Sequence, residues 1–203
     1  GARVLVYGIE FEAQATAIQS RCGTTHIVAA ANGSASEYET GLSEAGAEPL
    51  TDLPPITLAD IWTIMYTSGT TGRPKGAKIT YGMTVFNAVH ASVRAELTRR
   101  STNLVFLPTF HTGGLNVFAN PVFHTGGTNI VLRTFDPKTF LSLLSDKDLG
   151  ITHVFGVPTN FLMLAEEPGF AEANLSHVTF LGIGGAAAPA SVIREFADKG
   201  IML

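Results

Sequence analysis

Cysteine is almost absent: Cys22 is the sole thiol in 203 residues. One thiol excludes an internal disulfide scaffold and a zinc site built on several cysteines, and it fits a reducing compartment, so a cytoplasmic location is expected. Charge is scarce too, at 15% of residues against 45% hydrophobic. Even so, no uncharged apolar run approaches the roughly 18 to 20 residues that a membrane-spanning helix requires, and no transmembrane segment is expected. Thirteen Lys and Arg against seventeen Asp and Glu leave a net charge of -4. That excludes a nucleic-acid surface resting on overall basicity. An initiator methionine is also missing: Gly1 runs straight into a strand-like segment, so the chain reads as a piece of something longer. What remains is long enough to bury a substantial core.

The few charges are unevenly placed. Residues 1–60 carry two arginines against eight acids, whereas residues 61–95 contain no acid and four cations, Arg73, Lys75, Lys78 and Arg94. A cationic island inside an acidic chain favours an anion such as a phosphate.

Apolar periodicity predicts alternating strands and helices. Strands are expected at 3–7 and 26–30 around a helix at 12–20, and residues 31–60, rich in Gly, Ser, Glu and Pro, are expected as a surface connection. A strand at 61–67 leads into a Gly- and Thr-rich loop and a short strand at 77–79. Met83, Phe86, Val93 and Leu97 then mark an amphipathic helix. Further strands are expected at 104–107, 128–133, 152–157 and 178–183. The helices after them are expected at about 114–123, from Pro137 with Asp136 as cap, from Pro158 to Leu164, and at about 189–199, with a last strand opening at 201. Repeated β-α units imply an α/β fold: a mostly parallel sheet with flanking helices and ligands at the carboxyl ends of its strands.

The loop after the strand at 61–67 carries the strongest chemical signal. Tyr66 to Gly76 holds the hydroxyls of Thr67, Ser68, Thr70 and Thr71, three glycines, and the cations Arg73 and Lys75. Glycines let backbone N–H groups approach an anion, hydroxyls donate to its oxygens, and Lys75 adds a full positive charge, a combination suited to a polyphosphate. The spacing is not that of a Walker A loop, which needs Gly-Lys at a fixed offset and a helix start where Pro74 stands.

Tyr66 to Tyr81, YTSGTTGRPKGAKITY, resembles the signature phosphate loop of the adenylate-forming superfamily, which comprises acyl-CoA synthetases, luciferases and the adenylation domains of peptide synthetases. The resemblance implies that Thr67, Ser68, Gly69, Thr70, Thr71, Gly72 and Lys75 bind the β- and γ-phosphates of ATP, with Lys75 catalytic. Donors that follow migrating negative charge stabilise a leaving pyrophosphate more than they hold the ground state.

A second segment, Leu107 to Asn116, is similar to the family's stretch where an aromatic residue or His borders the acyl and adenylate site. The resemblance implies a catalytic role for His111 and a pocket wall formed with Phe110 and Gly113. Phe123 to Gly127 repeats Phe110 to Gly114, but it precedes a strand, so its glycines read as a helix-to-strand turn. No carboxylate or Cys stands near His111 or His124 at ligand spacing, and no metal site is expected there. The third segment, Gly182 to Pro189, satisfies G-x-G-x-x-A on its own, leaving a Rossmann-type dinucleotide module as an alternative. It also resembles the family's Gly-Gly-Ala turn, by which Gly184, Gly185 and Ala186 line the acyl pocket and approach the adenine.

The resemblance implies that residues 1–203 are the central part of the large N-terminal domain of an adenylate-forming enzyme, a partial AMP-binding domain truncated at both ends. The parent would be an ATP-dependent carboxylic acid:CoA ligase, using Mg2+ with ATP to form an acyl-adenylate and then coenzyme A as acceptor. A peptide-synthetase-type adenylation domain and a non-enzymatic nucleotide-binding module are the alternatives. The family's Tyr-Gly-x-Thr-Glu motif, ribose-binding aspartate and C-terminal lysine fall outside the 203 residues, so the piece alone is expected to be inactive.

Overall fold

A computed structural model describes residues 2–23, 26–30, 36–49, 51–69, 72–201 and 203. It divides into two compact units, Gly1–Pro54 and Pro55–Leu203.

The first unit opens with a β-α-β module. Strands β1 (Val4–Gly8) and β2 (His26–Ala30) pair in parallel, with Val4 opposite His26, and helix α1 (Glu12–Cys22) connects them after a short 3-10 turn. Gly23 ends α1 at φ +65, its N–H donating to the Gln19 carbonyl. The segment expected as a bare connection contains helix α2 (Glu37–Glu44), whose Ser36 hydroxyl accepts from the Glu39 N–H at 3.2 Å. The sequence cue was Ser followed three residues later by Glu. Short length and weak amphipathicity hid it from a search for apolar periodicity. Residues 31–35 and 50 of that segment lie outside the described residues.

In the second unit, β3 (Ile61–Thr67) and β4 (Lys75–Thr80) form an antiparallel hairpin with Thr67 opposite Lys75. This pair departs from the expected parallel arrangement because residues 68–74 are too few for a crossover; parallel neighbours need a dozen or more connecting residues. Helix α3 (Tyr81–Ala95) follows at once, capped by the Thr80 hydroxyl, which accepts from the Met83 N–H at 3.1 Å. It stops two residues before Leu97, because Glu96 turns left-handed at φ 53 and tucks Leu97 into the interior.

Four parallel strands make the main sheet in the order β6-β5-β7-β8: β5 (Thr102–Val105), β6 (Thr128–Val131), β7 (His153–Gly156) and β8 (Phe180–Ile183). The expected helix at 114–123 is two, α4 (Thr112–Leu115) and α5 (Ala119–His124). Pro121 explains the break, since proline is tolerated only in a first turn and so requires a new start just before it. Helix α6 (Pro137–Ser145) has the expected cap, Asp136 accepting from the Thr139 N–H at 2.8 Å, with Pro137 in the first turn. It ends before Gly150, where the Asp146 carboxylate accepts from the Asp148 N–H at 2.9 Å and draws the chain into a turn. Helices α7 (Pro158–Ala165) and α8 (Ala190–Ala197) complete the unit. No strand is assigned at 201 or 203, and residue 202 lies outside the described residues.

Alternating strand residues send side chains to opposite faces. One face packs Leu104, Val154 and Leu181 with Phe140 and Leu144 of α6, Phe161 and Leu164 of α7, and Val192 and Phe196 of α8. The other packs Phe155 and Phe180 with Ala95 of α3, Leu97, Phe118 and Val122 of α5. Helices thus cover both faces, as expected. Successive strands leave β5 in opposite directions, first to β6 and then to β7, and the carboxyl ends at such a reversal form a natural ligand crevice. No helix among the described residues is long and apolar enough to cross a membrane.

Candidate active site

The hairpin turn is held by backbone rather than by side-chain packing. Gly69 and Gly72 are left-handed at φ +61 and +77, and the Gly72 N–H donates to the Gly69 carbonyl at 3.4 Å. A Cβ on Gly69 would collide with the Arg73 carbonyl oxygen and sit 3.6 Å from Lys75 Cγ. The turn is therefore a cradle that only glycine can line at that point. Arg73, Lys75 and Lys78 are exposed, and among the described residues no carboxylate pairs with them. Thr67 and Ser68 flank the same turn. Thr70 and Thr71, expected to share the nucleotide role, lie outside the described residues.

The hairpin stem is anchored. The Tyr81 and Gly82 N–H groups donate to the Asp60 and Leu58 carbonyls at 3.0 and 2.8 Å. The Asp60 carboxylate accepts from the Thr57 N–H and hydroxyl, and these bonds hold its pKa below the usual carboxylate value. Met65 is buried, and its sulfur lies 3.9 Å from the Asn116 side-chain nitrogen; the backbone carbonyl of Asn116 accepts from Asn87 Nδ2 at 2.6 Å. This contact brings the β3–β4 hairpin to α4 across 51 residues of sequence.

His111 stands at the start of α4, beyond the carboxyl end of β5. Its Nδ1 accepts from the Gly113 N–H at 3.1 Å. An amide can only donate, so Nδ1 is committed as acceptor and the proton of the neutral ring sits on Nε2, facing away from the cap. The turn is tight: a Cβ on Gly114 would meet the Pro108 and Leu107 carbonyls. Phe110 is 82% exposed and lines a cleft of about 550 Å³ with Phe106, Leu107, Val131 and Asn160. His111 and Gly113 do not line that cleft. His124 closes α5, and Gly126 at φ +77 makes the expected turn into β6.

Gly184, Gly185 and Ala186 follow β8. The Gly184 N–H donates to the Gly156 carbonyl at 3.1 Å, and Gly185 is left-handed at φ +82. A Cβ on Gly184 would lie 3.0 Å from the Phe155 ring, and one on Gly113 would lie 3.9 Å from it. The second and third segments therefore meet around one aromatic side chain. Phe155, Asn116 and Asn87 are the residues that sequence reasoning missed as organisers of the site. Asn116 stood inside a quoted segment, but the other two carried no motif.

His153 is structural. Its Nε2 donates to the Ala95 carbonyl at 2.8 Å, its Nδ1 lies 2.7 Å from the Thr152 hydroxyl, and it is 3% exposed. Burial pushes its pKa down, and the bond to Ala95 opposes that shift. It lines a cleft of about 430 Å³ with Arg94, Glu96 and Arg100 at the amino ends of the strands, away from every residue assigned above.

A single profile, that of the AMP-binding enzyme family, matches residues 1–202. The chain belongs to that family. The match takes in both the turn at 67–75 and the Gly-Gly-Ala turn, which removes the ground for a Rossmann alternative. Relatives of this AMP-binding chain include a feruloyl-CoA synthase of Amycolatopsis sp, 37% identical over 175 residues, 86% of this chain and 35% of that protein. A 2-succinylbenzoate--CoA ligase of Bacillus licheniformis is 34% identical over 158 residues, 78% of this chain and 32% of that protein. Among solved structures, ATP-bound MatB from Rhodopseudomonas palustris matches with a TM-score of 0.82 at 27% identity, over 97% of this chain and 38% of MatB. The AMP-binding chain thus spans roughly a third of the length of the curated relatives it matches.

Proposed function

We propose that these 203 residues are the central part of the large domain of an ATP-dependent carboxylic acid:CoA ligase. The observation that carries the reading is the turn at 68–74. Gly69 and Gly72 are left-handed there, Lys75 lies beside Gly69, and among the described residues no carboxylate pairs with Arg73, Lys75 or Lys78; Met65 of the hairpin meets Asn116 at the end of α4. A relative named a feruloyl-CoA synthase and one named a 2-succinylbenzoate--CoA ligase support coenzyme A as the acceptor.

In the proposed reaction a substrate carboxylate oxygen attacks the α-phosphorus of ATP. The bond from that phosphorus to the bridging oxygen breaks, and pyrophosphate leaves with the displaced charge. Lys75, the hydroxyls of Thr67, Ser68, Thr70 and Thr71, and the N–H groups around Gly69 and Gly72 hold that charge as it builds, which favours the transition state over bound ATP. His111, with Nδ1 tied to Gly113, offers Nε2–H as a donor at the edge of the acid site. Gly113, Gly184, Gly185 and Ala186 leave space for the acyl group and the adenine, while Phe110 walls a separate cleft with Phe106 and Val131. A thiolate of coenzyme A then attacks the acyl carbonyl carbon and AMP departs. Mg2+ accompanies ATP in this scheme. Among the described residues no group of three His, Cys, Asp or Glu could hold a metal, so the residues present do not form its site and no step is assigned to it.

The test is pyrophosphate exchange and thioester formation by the parent enzyme with a panel of carboxylic acids. Lys75→Ala is expected to lower the adenylation rate by roughly a hundredfold to a thousandfold, the scale of losing one preorganised donor to developing charge. An unchanged rate would show that Lys75 does not hold the developing charge, and a parent that binds ATP but activates no acid would favour a non-enzymatic nucleotide-binding role. Transfer to a carrier-protein thiol in place of coenzyme A would move the parent to the peptide-synthetase class.

A further inference from the structure

Phe155 occupies the third position of β7, opposite Gly182 of β8. Two glycines, one in strand β8 and one in the turn after it, crowd its ring, and Gly113 of a second turn faces it at ordinary contact distance. A Cβ on Gly182 would lie 3.0 Å from Cδ2, one on Gly184 would lie 3.0 Å from Cζ and 3.2 Å from Cε2, and one on Gly113 would lie 3.9 Å from Cε1. Phe118 meets the same ring edge-on, with centroids 6.2 Å apart at 77°. The ring therefore has one edge against the β8 strand and turn and the other toward the Gly113 turn, and Phe118 restrains it from a further direction. A closely packed interior transmits displacements instead of absorbing them, so a change at any of these contacts shifts the others.

We propose that Phe155 is a positioning residue: its ring sets the distance between the His111–Gly113 turn and the Gly184–Gly185 turn, and so the width of the carboxylic-acid space between them. This rests on the function proposed above. Glycine at 182 and 184 follows from the same geometry, since any Cβ there would displace the ring. Neither Lys75 nor Gly69 belongs to the set of atoms around Phe155, so the ring acts on the acid side of the reaction.

The test is a size exchange in the parent enzyme. Phe155→Leu removes Cε and Cζ and leaves the two turns without their spacer, whereas Gly184→Ala drives a methyl into those same atoms. Each is expected to lower kcat/KM for the acid by about tenfold to a hundredfold, the scale of an ångström-level misplacement of reacting groups. The apparent KM for ATP is expected to move far less in Phe155→Leu, whereas Gly184→Ala, at the turn placed beside the adenine, is expected to raise it as well. In the double variant the new methyl occupies the space vacated by the ring, so acid kcat/KM should recover toward wild type instead of falling further, a coupling of opposite sign to additivity. Phe155→Tyr adds one oxygen at Cζ against Gly184 and gives a second reading without opening a cavity; it should resemble Gly184→Ala.

Additive losses in the double variant, or parallel losses for ATP and acid in Phe155→Leu that mark a merely structural role, would overturn the proposal. So would a Phe155→Tyr enzyme with unaltered acid kinetics. Failure of the underlying ligase reading is distinguishable, because it would already appear as a wild-type parent that activates no acid, and the inference would then fall with it.

Discussion

Gly69→Ala probes the turn proposed to hold phosphate more sharply than any charge deletion, because two separate costs can be assigned to it. Holding alanine at φ +61 costs about 1–2 kcal/mol, the price of a left-handed L-residue. The second cost is steric. The atom met by the new methyl is the Arg73 backbone carbonyl oxygen, which no rotamer change can move aside. Gly72→Ala supplies the control: Gly72 has φ +77, but a Cβ there meets nothing within 4 Å among the described residues, so only the first cost applies. If the left-handed turn is the nucleotide-binding conformation, Gly72→Ala should weaken ATP binding by roughly 5- to 30-fold, the factor that corresponds to 1–2 kcal/mol. Gly69→Ala should weaken it further. The fold should survive both changes, because the turn lies outside both apolar clusters. At about 2–4 °C per kcal/mol for a chain of this size, the conformational cost alone lowers Tm by roughly 2–8 °C at most. ATP titration and pyrophosphate exchange in the parent enzyme, with thermal melts in parallel, measure all of this. The reasoning is refuted by a Gly69→Ala enzyme that binds ATP as wild type does, or by Gly72→Ala being the more damaging change.

Two further outcomes follow from the core and its titration. Phe161 is fully buried and meets Phe196 edge-on at 5.6 Å; Phe161→Ala should cost about 3–5 kcal/mol, or roughly 6–20 °C in Tm, and a calorimetric shift under about 2 °C would contradict the packing described. His153 is held neutral by burial, so the unfolded chain binds more protons than the folded one once the pH drops through the unfolded value of about 6.5. Its contribution is therefore fully present above that pH and is lost as the pH falls toward the lowered folded value, with Arg94, Glu96 and Arg100 lining the same cleft. His153→Gln should flatten that part of the stability profile in urea titrations, and an unchanged slope would assign it to other groups.

Local chemistry was legible wherever a few neighbouring residues decide the outcome. Strand β3 has the expected bounds, and Asp136 with Pro137 starts α6 as their capping chemistry requires. The composition of the turn at 67–75 already pointed to a polyphosphate, because glycine conformational freedom, hydroxyl donors and ammonium charge are properties of the residues themselves. The adenylate-forming resemblance was carried by the same short stretch. Helix α2 and the division of α4 from α5 escaped because a weak cap and a single Pro121 outweigh periodicity over so few residues.

Tertiary structure decided which distant residues meet. Nothing in the sequence pairs Met65 with Asn116, or lays Gly113, Gly182 and Gly184 against the ring of Phe155. Contacts of that kind depend on strand order and register, and the reversal at β5 puts chain segments side by side that are far apart in sequence. Sequence alone therefore determined which chemical groups the turn at 67–75 carries; only the folded sheet determined the spacing of the elements around it, because spacing is set by packing between elements and not within them.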